Sequence, residues 1–334
     1  DWSSDVCSSD LSIYCYKAED ERGEAEFIIG KIRELIAENP ELNWGSFAIL
    51  YRINSQSRPF EDSLIKSNIP YNIVGGFKFY DRQEIKDSLA YLRAIANPAD
   101  TVSLLRVINT PRRGIGKATI EALITSAQQL GVPLWEILSD QTSVNTIAGR
   151  SAKPVNKFAK LIQDFQEKIE MLTAAEILDN VMEMSGYLDA LKQQGTEEAD
   201  GRLENISELY NAILQFQEDN EDTSLLGFLA NASLASDLDD LKEGEEKVSL
   251  MTLHAAKGLE FPVVFLAGLE QGLFPHNRSL NDPLSLEEER RLCYVGVTRA
   301  QEQLFLTYAK ERYVWGSREV KLPSQFLKIG RAHV

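Results

Sequence analysis

Short apolar runs alternate along the chain with longer stretches in which apolar residues recur every three or four positions. Runs at 47–51, 71–74, 248–253, 262–267 and 304–308 are largely apolar and read as strands buried on both faces. The helical period appears at 25–37, with Phe27, Ile28, Ile32, Leu35 and Ile36 on one face, and at 55–67, with Phe60, Leu64 and Ile65 inward. Asp81 stands three positions before Glu84, which predicts a capping box and a helix over 84–96 that Asn97-Pro98 stops. From 98 to 244 the pattern predicts helices only, at 104–108, 119–129, 134–138, 152–171, 174–184, 202–217 and 225–235. The strand pattern then returns. The simplest topology is an α/β domain made of 13–97 and 246–328, interrupted by an all-helical insertion at 98–245. Residues 1–12 and 329–334 fit neither period. They resemble read-through of sequencing adapters and are expected to be non-native tails.

Composition narrows the classes. A length of 334 residues with 43% hydrophobic content supports about two domains with full-sized cores. The formal charge of −16, with a pI of about 4.8, argues against broad, non-specific nucleic-acid binding. A local basic or aromatic groove stays open. The acids gather at 197–204, 218–222 and 237–246, as solvated faces and linkers. Cys7, Cys15 and Cys293 have no paired spacing, which predicts neither a disulfide framework nor a zinc site and fits a reducing cytoplasm. No apolar run reaches membrane-spanning length, and no signal-peptide pattern is present.

The phosphate-cradling pattern G-x-x-x-x-G-K-[ST] is absent. Gly114-Ile115-Gly116-Lys117 imitates its end, but Pro111 stands where the first glycine belongs. Ala118 replaces the hydroxyl that would hold magnesium. No acidic pair follows a buried strand as Walker B carboxylates would. The chain by itself is therefore expected to lack the core of nucleotide hydrolysis.

Two segments carry polar groups in the α/β part. Thr252-Leu253-His254-Ala255-Ala256-Lys257-Gly258-Leu259-Glu260-Phe261 follows a predicted strand. Tyr294-Val295-Gly296-Val297-Thr298-Arg299-Ala300 ends a helix predicted over 287–300 and opened by a Ser285/Glu288 capping box. Ligands of open α/β sheets sit at the carboxyl ends of strands, and both segments are expected there. Arg299 suits charge developing on a transferring phosphoryl group, or the stabilisation of a helix C-terminus. Gly296 suits the close approach of another backbone, or relief of crowding. Glu260 suits a ribose hydroxyl, or is a surface glutamate. Thr252 and Lys257 suit phosphates, or loop packing and solvation. His254 has no partner pattern for a metal or a nucleophile.

Elsewhere, Arg52 and Asn54 follow the strand at 47–51 and suit phosphate and base contacts, while Asn54 or Ser55 also suits a helix cap. Trp315, after the last predicted strand, stacks a base or joins the core. Arg112, Arg113 and Lys117 surround Gly114 and Gly116 at a helix start, where free backbone N–H groups favour a phosphate. Phe77 and Phe79 suit base stacking or packing between the two domains.

The segments at 252–261 and 294–300 together resemble motifs V and VI of the UvrD-like superfamily 1 DNA helicases, and the resemblance extends over about 13–328. It implies a second RecA-like domain, 2A, of P-loop NTPase type without a Walker A loop, interrupted by the helical domain 2B. A first RecA-like domain is missing from this sequence and would hold most of the ligands of ATP and Mg2+. The implied activity is ATP-dependent 3′–5′ DNA unwinding. Arg299 is implied as the arginine finger and Glu260 as the ribose contact, with Gly258 and Lys257 also at the nucleotide. Arg52, Asn54, Thr252, His254 and Trp315 are implied to line a single-stranded DNA channel. The family often has another aromatic residue at the position of Trp315. Arg112, Arg113, Gly114, Gly116 and Lys117 resemble a 2B hairpin that touches duplex DNA near the single-strand/duplex junction. Repair proteins are implied partners, no membrane is, and the compartment is the bacterial cytoplasm. The competing reading is a non-catalytic DNA-binding or partner-scaffold module.

Overall fold

The structure is a computed structural model that describes residues 11–237 and 246–327. The expected tails, apart from Leu11 and Ser12, lie outside the described residues, as does most of the acidic run at 237–246. In chain order the elements are β1 (Ser12–Ala18), α1 (Glu21–Glu38), β2 (Phe47–Tyr51), α2 (Ser57–Lys66) and β3 (Tyr71–Ile73). Helices follow: α3 (Gln83–Ala96), α4 (Thr101–Val107), α5 (Lys117–Leu130), α6 (Leu134–Ser139), α7 (Gln141–Ala148), α8 (Ala152–Gln166), α9 (Ala174–Met184), α10 (Tyr187–Lys192), α11 (Glu197–Asp219) and α12 (Leu225–Asp237). The chain closes with β4 (Val248–Thr252), β5 (Phe261–Leu266), α13 (Pro283–Val297), β6 (Ala300–Ala309), β7 (Glu311–Val314) and β8 (Ser317–Val320).

Two compact units divide these elements. In the first, six strands form one parallel sheet in the order β1-β6-β5-β2-β4-β3. The central strands read as apolar runs because both faces are covered. On one face Ile28 and Ile32 of α1 and Phe60 and Leu64 of α2 pack on Phe47, Ile49, Val263 and Phe265. On the other, Leu292 of α13 joins Leu50, Met251, Val264, Leu266 and Leu304. This is the α/β, RecA-like sheet that the sequence predicts.

Several boundaries differ for local reasons. α1 begins before the first apolar position because the Asp20 carboxylate accepts from Gly23 N at 2.8 Å. Asp81 does not cap α3; it pairs with Lys86 at 2.6 Å. α13 opens at Pro283, where a missing N–H costs nothing, and Asp282 accepts from Leu284 N and Ser285 N. It stops at Val297, so Arg299 lies beyond the helix, in the link to β6.

The second unit covers 80–234 and is helical throughout its described elements. It takes in α3, which the sequence reading placed with the sheet; the division falls at Phe79/Tyr80 and Leu234/Ala235 rather than at 97/98 and 245/246. The reason lies in what α3 packs against: α4, α8, α9 and α11. Buried polar links add to this. Asn205 Nδ2 donates to Glu84 Oε1 at 2.6 Å, and Asp87 accepts from Arg106 Nε at 2.7 Å and Tyr187 Oη at 2.9 Å. No helix among the described residues is long and apolar enough to cross a membrane.

Candidate functional site at two edges of one sheet

Because the six strands run in one direction, the first unit has one carboxyl edge and one amino edge. The carboxyl edge gathers residues far apart in sequence. β2 ends into Arg52 and Asn54, β4 into Thr252 and His254, β3 into Gly75-Gly76-Phe77, and β6 into the β7–β8 hairpin that carries Trp315. At roughly 4.8 Å per strand, the row from β6 to β3 is about 19 Å long. Asn54 and His254 are exposed, as is Phe77, whereas Phe79 is buried and donates its N–H to Glu61. Thr252 closes its own turn, its hydroxyl accepting from Ala255 N at 3.4 Å. Neither Asn54 nor Ser55 caps the loop. Gln56 does, its Oε1 accepting from Arg52 N and Ile53 N, both at 2.9 Å.

Arg52, expected on a DNA phosphate, is here engaged by a carboxylate. Its Nε lies 3.0 Å from Glu289 Oε1 and 3.1 Å from Oε2, and its Nη2 lies 2.6 Å from Oε1. Glu289 is buried on α13 and also accepts from His276 N at 3.0 Å. Burial works against ionisation of this carboxyl, but the hydrogen bonds and charge of Arg52, with the His276 N–H, outweigh it and hold the pKa below the usual glutamate value. The sign follows from linkage. A depressed folded pKa stabilises above the unfolded value of about 4.3 and loses that contribution as pH falls through the folded value. Glu289→Gln should therefore unfold at clearly lower urea than the parent at pH 7, with the gap closing toward pH 3. A gap that is the same at both pH values would contradict the ionised pairing.

The hairpin replaces the expectation that Trp315 follows the last strand. Val314 pairs with Ser317, so Trp315-Gly316 forms a two-residue turn with φ +47° and +74°. Such turns favour Asn-Gly, and a large L side chain there costs about 1–2 kcal/mol. Trp315 is nonetheless half-exposed in that conformation. The hairpin's root is Arg312, a group that sequence reasoning missed. Its guanidinium is buried between Glu270, at 2.5 Å (Nε–Oε2) and 2.7 Å (Nη2–Oε1), and Glu24, and both carboxylates are fully buried. Glu24 Oε1 accepts from Gly268 N at 3.0 Å and Thr307 Oγ1 at 2.7 Å, and Glu270 Oε1 from Ala309 N at 2.6 Å. Burial alone would lower the Arg312 pKa; the two carboxylates more than reverse that and raise it well above the ordinary value.

Glu260 and Arg299 are not at the carboxyl edge, where they were expected. β4 and β5 are both parallel to β2, so the chain must return along the sheet between them, and 253–260 make that crossing without a regular helix. The segment starts with His254 at the carboxyl edge and ends with Glu260 at the amino edge. Lys257 and Gly258, the latter at φ +85°, lie exposed between. Phe261 N donates to Arg299 O at 2.9 Å and pairs in register with Ala300, which sets Glu260 and Arg299 on neighbouring strand starts. Arg299 donates from Nε to Val295 O, from Nη1 to Leu259 O and from Nη2 to Thr298 Oγ1, each at 2.9 Å. Three of its five N–H donors are thus held, and two have no acceptor among the described residues. Glu260 is exposed and accepts from Gln301 Nε2 at 3.3 Å. Gly296 brings α13 onto this crossing. A Cβ there would lie 2.5 Å from Leu253 Cδ2 and 3.4 Å from Leu266 Cδ1, so the close neighbours are leucine side chains rather than another backbone.

In the second unit, the loop before α5 is fastened by Ile115, which is buried, and by Asn109, whose Oδ1 accepts from Arg113 N at 2.8 Å and Ile115 N at 3.3 Å. Gly114 and Gly116 face open space, and Arg112 and Lys117 are exposed. Arg113, expected on DNA, is turned inward. Its Nη1 donates to Val107 O at 2.8 Å and Thr110 O at 3.0 Å, its Nη2 donates to Tyr91 Oη, and its guanidinium lies over the Phe158 ring. The loop follows α4 and no strand, so its likeness to a phosphate loop ends with the lettering.

A RecA-like sheet with an arginine and a glutamate on adjacent strand starts, interrupted by a helical unit, defines a class. The chain belongs to the UvrD-like helicase C-terminal domain family, which it matches over residues 2–311. Among characterised proteins it is similar to the ATP-dependent DNA helicase PcrA of Bacillus subtilis, at 41% identity over 323 residues, covering 95% of this chain and 43% of that protein. PcrA of Staphylococcus aureus strain Mu50 and PcrA of Staphylococcus epidermidis are each 42% identical over 320 residues, with the same coverage. The chain thus spans less than half the length of these relatives.

Proposed function

We propose that this chain is the carboxyl-terminal motor half of an ATP-dependent 3′–5′ DNA helicase, with the sheet unit acting as domain 2A and the helical unit as 2B. One observation carries the reading: the Glu260–Arg299 pair stands at the amino edge, the exposed Asn54, His254 and Trp315 stand at the carboxyl edge, and two segments of chain run between. ATP sits against the amino edge, closed from the other side by a RecA-like domain with a Walker A loop that this sequence does not contain. Glu260 accepts from the ribose, with Lys257 and Gly258 nearby. Arg299, fixed by Val295, Leu259 and Thr298, offers its two remaining donors to the γ-phosphoryl oxygens. By the family resemblance most ligands of Mg2+ lie in that other domain, and no step here runs through the metal.

At the carboxyl edge, Trp315 stacks a base while Asn54 and His254 contact the strand. In the helical unit Arg112, Gly114, Gly116 and Lys117 present backbone N–H groups and charge to duplex phosphates, without Arg113. Trp315→Asn separates stacking from folding because its two effects have opposite signs. Asparagine suits φ +47°, so the hairpin gains about 1 kcal/mol, while single-strand binding loses roughly 1–3 kcal/mol. Fluorescence anisotropy with oligo(dT) at two salt concentrations, beside thermal melting, measures both. Affinity that is unmoved in the variant, or parent binding that does not weaken with salt, would favour the scaffold reading instead.

A further inference from the structure

The geometry points to Glu289 as a positioning residue that couples the two edges: held by Arg52, it fixes α13, and through α13 it fixes Arg299. This rests on the functional reading above and assigns Arg52 a task other than touching DNA.

The connection can be traced atom by atom. Arg52 is the first residue after β2, at the edge assigned to the single strand, and its fork closes on both oxygens of Glu289. Glu289 lies in the first half of α13 and is nearly solvent-free. The remaining capacity of its carboxylate is taken by His276 N at 3.0 Å and Ser279 Oγ at 3.4 Å, so the helix is also tied to the loop that precedes it. In its second half, Gly296 lets α13 rest on Leu253, next to His254, and on Leu266. Just past its end, Arg299 hooks onto Leu259 O, one residue before Glu260. Both segments that leave the carboxyl edge for this helix, at 52 and at 253, therefore reach it by direct contact. The Arg52 contact is the polar and directional one of the two. A forked guanidinium–carboxylate pair fixes distance and angle together, which an apolar contact does not. Removing one partner leaves the other buried and uncompensated, so the pair resists sliding.

A strand bound across the carboxyl edge restrains β2's exit loop and, through the pair, restrains α13. Its effect at the amino edge is a narrower placement of Arg299. Cys293 sits one helical turn after Glu289 and reports this motion, since burial pushes its thiol up to about 11 and leaves it slow to react unless α13 shifts.

The test uses the full chain with Cys7→Ser and Cys15→Ser, so that Cys293 is the one thiol. Its reaction with a disulfide reagent is timed with and without oligo(dT), whose binding is followed separately by anisotropy. The expected result is a slowing of about fivefold on binding in the parent, and no slowing in Glu289→Gln even though that variant still binds the oligonucleotide. If Glu289→Gln does not fold, judged by circular dichroism, Arg52→Lys takes its place, keeping the charge but losing the fork; the slowing should again vanish. A slowing that survives in the folded variant, or a parent that binds DNA with no change at Cys293, overturns the coupling while leaving the functional reading intact. A parent that does not bind oligo(dT) at all overturns both.

Discussion

Arg299→Ala is expected to slow ATP hydrolysis by about 10³- to 10⁵-fold when this chain is joined to a RecA-like domain bearing a Walker A loop, and to leave its affinity for single-stranded DNA within about twofold. The size of the effect follows from where charge develops. A γ-phosphoryl group in transfer spreads negative charge over its equatorial oxygens, and under the proposed function a guanidinium already fixed by three hydrogen bonds would meet that charge without having to reorganise. The split between the two readouts follows from the sheet, because Arg299 stands at the start of β6 and the DNA candidates stand at strand exits. Arg299→Lys should recover little, since a point charge lacks the fork and the hold on Val295 and Thr298. Single-turnover hydrolysis and oligonucleotide anisotropy on the same preparation test this. Hydrolysis by Arg299→Ala at the parent rate would remove Arg299 from the chemistry.

Arg312→Met lowers the stability of the sheet unit by roughly 3–5 kcal/mol. The guanidinium is the cation lodged between Glu24 and Glu270, both without solvent exposure, and its removal leaves two carboxylates confined together. The damage spreads beyond the pair. Glu24 belongs to α1, Glu270 follows β5, the N–H of Ala309 depends on Glu270, and the hairpin grows from Arg312 itself. A hairpin of two four-residue strands is marginal by itself, so its attachment rests on this root. Urea unfolding at neutral pH gives the measurement, and added salt should restore little because a buried pair is weakly screened. A loss under about 1 kcal/mol would mean that the hairpin is held by something else.

The sheet was legible where its physics is local. A strand such as β2, buried on both faces, must be apolar throughout, and 47–51 was predicted to the residue. β1 gave no such signal because it is an edge strand with most of its residues exposed, and β7 and β8 are short and polar. α13 was misplaced at both ends because its start is set by Asp282 and Pro283 rather than by apolar period. The site was legible as residue types and motifs, but not as a map. Nothing local says that Glu260, six residues after His254, lies at the opposite edge; that follows only once β4 and β5 are known to be parallel. The pairing of Arg52 with Glu289, 237 residues away, and the turning inward of Arg113 leave no trace in spacing. The role of Arg312 was invisible for the same reason, since its two partners come from α1 and from the loop after β5.

Under the proposed function, nucleic acid and nucleotide address opposite edges of one sheet. Hydrogen exchange of the chain with and without saturating oligo(dT) tests it most directly. The expected result is slowed exchange at 52–56, 252–256 and 313–317, with 258–261 and 298–301 protected far less. Protection centred on 258–261 and 298–301, with the strand exits unchanged, would contradict it.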